Sequence, residues 1–161
     1  MAFQNKINWS APHTGIQLLS STSDAFKTAV LDYHIQIEGE LENIIRMAFR
    51  DPDEYKTHRF GFARRVSLVR ALIGKSPNDE IWKIVKKLPD LRNEYAHGMP
   101  RPQTVQKYID ELQQQLETIG FNYAITSGVY NDSRLDILAS AHFAVGRFFW
   151  DIKEWLKSQR V

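Results

Sequence analysis

The sequence predicts an all-α fold, one antiparallel bundle of about five helices spanning residues 1–161. Three observations lead there. Apolar residues recur at spacings of three and four in five separate stretches. Glycine, proline and small polar residues divide those stretches at places where helices stop or begin. A chain of 161 residues with 43% hydrophobic and 25% charged content is long enough, and ordinary enough, to bury one sizeable core.

Residues 1–20 read as an irregular arm. Asn8, Ser10, Pro12 and Gly15 break it, and Trp9, Leu18 and Leu19 are the side chains that could pin it to the body. Ser20 to Ser23 offer N-caps for a first helix over residues 24–50. Phe26, Val30, Tyr33, Ile37, Leu41 and Ile44 form its stripe, and Asp51-Pro52-Asp53 ends it. A second helix covers 60–73 on Phe62, Val66, Val69 and Ile73, with Gly74 as its stop.

The third helix begins at the Ser76-Pro77 cap pair. Asp79 and Glu80 sit in its first turn, where acids complement the dipole. Ile81, Ile84, Val85, Leu88, Leu91 and Tyr95 form its apolar face. Pro89 should kink it, and Gly98, Pro100 and Pro102 end it. A fourth helix starts near Pro102 or Gln103. It runs on Val105, Tyr108, Ile109, Leu112, Leu116 and Ile119 to Gly120. In the connector 121–132, Phe121, Tyr123 and Ile125 alternate with polar or small residues, so a short extended segment fits there. Asn131, Asp132 and Ser133 cap a last helix over 134–157, with Trp150 and Trp155 adding bulk to its inward face.

Several function classes have no support. There is no cysteine for disulfides or thiolate chemistry. No phosphate-binding glycine loop and no His-Glu-x-x-His occur. His34 and Glu38 share a helix face, but two ligands are too few for a metal, so neither metal nor cofactor is expected. No run of eighteen apolar residues suggests a membrane span. Met1 to Lys6 lack a signal-peptide core, and a cytoplasmic location is expected.

The net charge of +2 says little, but its distribution says more. Between Lys56 and Asn78 there is no acid, while Lys56, Arg59, Arg64, Arg65, Arg70 and Lys75 are all basic. Such a segment is either a solvated helix face or a phosphate-contacting surface.

The remaining polar signal is Leu91-Arg92-Asn93-Glu94-Tyr95-Ala96-His97-Gly98, at the end of the third helix. Asn93 and His97, four apart, share a face and can hydrogen-bond. Arg92 and His97 diverge by roughly 140° on an ideal helix, so they can meet one ligand only by long reach, a bent helix end or a second copy of the chain. By spacing alone these residues read equally as cap and interhelical contacts.

This stretch resembles the Arg-x(4–6)-His motif of the HEPN superfamily, in its form with asparagine after arginine. Phe60-Gly61-Phe62-Ala63-Arg64-Arg65 and Ala71-Leu72-Ile73-Gly74 are similar, more loosely, to its mannitol-operon-repressor-like branch. The resemblance implies a helical bundle that dimerises through its motif-bearing helices. It implies a metal-independent endoribonuclease of the toxin–antitoxin or phage-defence kind, with Arg92, Asn93 and His97 as catalytic residues and RNA as substrate. Arg59, Arg64, Arg65, Arg70 and Lys75 then form the candidate RNA track, and a cognate antitoxin or defence protein is a possible partner. Other members of the superfamily are inactive binding modules or regulators, the second expectation here. One HEPN toxin subgroup carries a tyrosine two residues after the histidine, as a nucleotidylation site. This chain has Met99 there, and the resemblance does not extend to that feature.

Overall fold

The computed structural model describes residues 3, 25–51, 53–54, 59–74, 79–96, 98–123, 128, 130 and 132–159. Five helices follow in order: α1 (Ala25–Ala48), α2 (Phe62–Ile73), α3 (Ile81–Ala96), α4 (Pro102–Thr118) and α5 (Ser133–Ser158). They form the all-α bundle expected, but it is not packed mainly antiparallel: α5 runs with α1, Arg134, His142 and Lys153 meeting Phe26, Tyr33 and Glu40 in step, and α2 does the same through Phe62 and Arg65 on His34 and Glu42, while α3 runs against them. The boundaries fall where local chemistry sets them. Gly74 and Gly120 take φ of +71° and +67°, the left-handed conformation in which glycine escapes the Cβ penalty. Their N–H groups close onto the carbonyls of Arg70 and Glu117 at 3.1 and 3.0 Å. Asp132 caps α5 by accepting from the Arg134 N–H at 2.9 Å.

Two local expectations shift. The helical hydrogen-bond pattern of α3 begins at Ile81. Asp79 and Glu80 form the turn before it, their carbonyls accepting from Trp82 and Lys83 at 3.2 and 3.0 Å. The Ser76-Pro77 cap lies outside the described residues. Pro89 sits inside α3, and the helix continues past it to Ala96, as the glycine and prolines beyond lead one to expect. Proline removes one hydrogen bond, and burial of Leu88 and Leu91 on either side holds the helix against that loss. Among the described residues of the 121–132 connector there is no strand.

α1 and α5 form the longest contact in the bundle. α2 packs on one flank of α1, and α3 and α4 complete the core. Leu41, Ile44, Val69, Ile84, Leu91, Leu112 and Phe148 are fully buried. Trp82 meets Phe148 edge to face at 5.2 Å, and Phe3 packs on Phe148 and Trp155 at 5.8 and 6.0 Å. Phe3 is thus itself part of the core. Trp9, Leu18 and Leu19, the candidates for pinning the arm to the body, lie outside the described residues. Trp150, expected to add bulk to the core, is 41% exposed.

Candidate functional site

The end of α3 is anchored by two side chains. Leu91 is fully buried, and the Tyr95 ring packs on Phe26 of α1 at 5.8 Å. With one face fixed there, 100° per residue turns Arg92 and Glu94 onto opposite flanks and Asn93 toward solvent. Arg92 is half-buried, Asn93 is exposed, and Arg92 Nη1 donates to Asn93 Oδ1 at 3.1 Å. This engages the Asn93 carbonyl and leaves its amide nitrogen as the donor toward a ligand. His97 lies outside the described residues, immediately before Gly98 with φ +126°.

On the Glu94 flank, α3 and α4 bound a groove of about 460 Å³ lined by Asp90, Asn93, Glu94, Met99, Arg101 and Tyr108. Arg101 Nε donates to Glu94 Oε1 at 3.1 Å and its Nη2 pairs with the same oxygen. Hydrogen bonding from Arg101 holds the Glu94 carboxyl below its usual range and raises the guanidinium in turn. Asp90 is paired in turn with Lys87 at 3.4 Å, so both carboxylates of this groove are compensated, and Met99 at its rim is 97% exposed. The Glu94–Arg101 pair was invisible to motif spacing. Its only sequence signal is opposite charge on the two sides of one short interhelical loop.

On the Arg92 flank lies His34 of α1, whose ring stacks on Phe62 of α2 at 5.2 Å. Its Nε2 is 3.7 Å from Glu38, and its buried Nδ1 has no hydrogen-bond partner among the described residues. Burial pushes the His34 pKa down, Glu38 opposes that, and the Arg92 charge pushes it down further. The unfolded chain therefore binds the proton more readily than the folded one. The stability contributed is present in full above the ordinary histidine pKa of about 6.5 and is lost as pH falls through the lower folded value. Melting temperature should fall between pH 7 and pH 5, and less steeply in His34→Gln. Equal slopes in calorimetric scans of the two proteins would remove His34 as the cause.

The expected basic track divides. Arg59 and Arg64 are exposed, Arg64 lying over the Phe60 ring at 4.2 Å. Arg70 is half-buried beside Asp79 at 4.0 Å and over the Trp82 ring at 6.0 Å. Lys56 and Lys75 lie outside the described residues. Arg65 is only 8% exposed and faces α1, with Glu42 at 3.1 Å and Glu38 at 3.7 Å. It belongs to the α1–α2 interface, not to an open surface. Arg65→Ala should cost about 1–3 kcal/mol, because it leaves two half-buried carboxylates uncompensated. Arg64→Ala should stay within about 0.5 kcal/mol in the same urea titration.

Fold and site together define a class: an all-α bundle with a polar constellation at the C-terminal end of its third helix. Compared with protein-family models, curated proteins and solved structures, the chain matches none. Among the described residues, no helix is long and apolar enough to cross a membrane, and no group of three or more His, Cys, Asp or Glu could hold a metal ion.

Proposed function

We propose that this chain is a HEPN-type, metal-independent endoribonuclease, a toxin or phage-defence effector, acting as a homodimer with Arg92, Asn93 and His97 at a shared cleft. The observation that carries the reading is the Arg92–Asn93 pair. A half-exposed guanidinium at a helix end is oriented by its neighbour's carbonyl, one turn before His97 in the sequence.

The chemistry is self-consistent. Neutral His97 takes the proton of a ribose 2′-hydroxyl, and the 2′-oxygen attacks the adjacent phosphorus. The bond to the 5′-oxygen breaks, and that oxygen receives the proton back from His97. Arg92 offers a fixed charge and a planar donor fork to the phosphorane. The Asn93 amide adds a further donor. The product carries a 2′,3′-cyclic phosphate. Phosphate approaches from the Arg92 flank, since the Arg101 guanidinium on the other flank is already engaged by Glu94. Arg59 and Arg64 extend that approach.

A second reading, a non-catalytic HEPN-like interaction module or regulator, draws support from Arg65. Its engagement with Glu38 and Glu42 thins the basic surface that RNA would need. Purified wild type and His97→Ala, incubated with total RNA with and without EDTA, separate the two. Cleavage by wild type alone, unaffected by EDTA and ending in cyclic phosphate, supports the nuclease. Intact RNA in both lanes, or equal degradation, favours the regulator. Light scattering that shows only monomer at micromolar concentration removes the shared cleft.

A further inference from the structure

α1 and α5 leave between them a groove of about 350 Å³, on residues that the Arg92 site does not use. Gly39 of α1 and Gly146 of α5 both line it. Glycine is the costliest residue in a helix interior after proline. Neither position has positive φ, and a Cβ added at either meets no atom within 4 Å. Neither backbone conformation nor packing within the chain therefore calls for glycine. What side chains at both positions would do in common is fill this groove.

The rest of the lining defines what fits. Trp150 stands in the wall, 41% exposed, its ring held by the Arg147 guanidinium at 4.6 Å. Arg147 in turn lies 3.4 Å from buried Asp151. Phe149 is buried behind it. Lys153 of α5 donates to Glu40 of α1 at 2.6 Å, so the charges in the lining cancel. The polar groups beyond that pair include the exposed side-chain amides of Gln36 and Asn43, each able to donate and accept. An anion would find no net positive charge here, and an aliphatic chain would desolvate two amides without pairing them. The complementary ligand is flat and uncharged, with apolar faces and alternating donors and acceptors around its edge. A groove of this size lies at the small end of ligand pockets.

We propose that the α1–α5 groove binds a nucleobase-type heteroaromatic ring, stacked on the Trp150 face that Arg147 leaves open, with its edge on Asn43 or Gln36. Aromatic stacking of this kind accepts every base, and the amides select among edges. The site stands independently of any cleavage chemistry at Arg92.

The test titrates the whole chain with adenosine, guanosine, cytidine and uridine in turn, and with a short single-stranded RNA of the best-binding base, followed by amide and indole NMR shifts. Saturable shifts are expected at Gly39, Gly146 and the Trp150 indole. Tighter binding of the strand identifies a base within RNA as the natural occupant, and equal affinity identifies a free nucleoside. The Gly39→Ala/Gly146→Ala double variant should melt higher, by about 2–4 °C or more, because alanine favours helix. It should nevertheless lose about tenfold or more in affinity. Trp150→Ala should abolish binding with the fold intact, and Trp150→Phe should retain it. The proposal is overturned if no nucleoside or strand produces shifts, or if the glycine and tryptophan variants all bind like wild type. It is also overturned if the same residues shift with protein concentration alone while light scattering shows a doubled mass, which would assign the groove to a second copy of the chain.

Discussion

On the proposed mechanism, Arg92→Ala is expected to slow RNA cleavage by about 10²–10³-fold, the scale at which a single transition-state donor acts. The reason is geometric. Arg92 Nη1 is spent on Asn93, so the remaining guanidinium N–H groups are those presented to a phosphate, in the fixed plane that the hydrogen bond defines. Lysine has no such fork, and Arg92→Lys should recover only part of the loss. Combining Arg92→Ala with His97→Ala should cost little more than the worse single variant, because both act on one transition state. Arg92 is half-buried against α1, so the control is a melting curve. An activity loss matched by a comparable fall in melting temperature would mean a packing role. Full cleavage by Arg92→Ala would sink the catalytic assignment.

Leu112→Ala should destabilise the chain by about 2–5 kcal/mol, as should Leu41→Ala. Both leucines are fully buried, Leu112 in α4 and Leu41 in α1. Each truncation removes apolar contact and leaves a cavity that packed helices on several sides cannot close. For a chain of this length that corresponds to a drop of roughly 5–15 °C in melting temperature. Gln113, one position along α4, is exposed, and its side chain donates to Glu117 at 3.2 Å on the same surface. Gln113→Ala should shift the midpoint hardly at all. If Leu112 and Gln113 variants melt together, the helical phase of α4 is wrong.

Most helix stops and apolar stripes, set by neighbours within one or two turns, could be read from the chain. The stops at Gly74 and Gly120, a cap among Asn131, Asp132 and Ser133, and the stripes through Leu41, Val69 and Leu112 each depend on a few adjacent residues. The same holds for placing Arg92 and Asn93 together at a helix end, with Leu91 and Tyr95 turned inward. What the chain order could not decide was which of several similar polar residues meets which. Arg64 and Arg65 are the same residue type one position apart. The 100° between them puts one in solvent and the other against Glu38 and Glu42 of a different helix. Trp150 follows buried Phe149 by the same angle and emerges into the α1–α5 groove. His34 gains its electrostatic environment from Phe62 and Arg92, each far along the chain, and Phe3 finds the core through Phe148 and Trp155. Helix propensity and periodicity act over a few residues. Charge pairing and desolvation depend on distances through space that exist only after the helices pack, so the helices were legible in the sequence while their relative directions, the surroundings of Arg92 and the surface open to a ligand were fixed by tertiary contact.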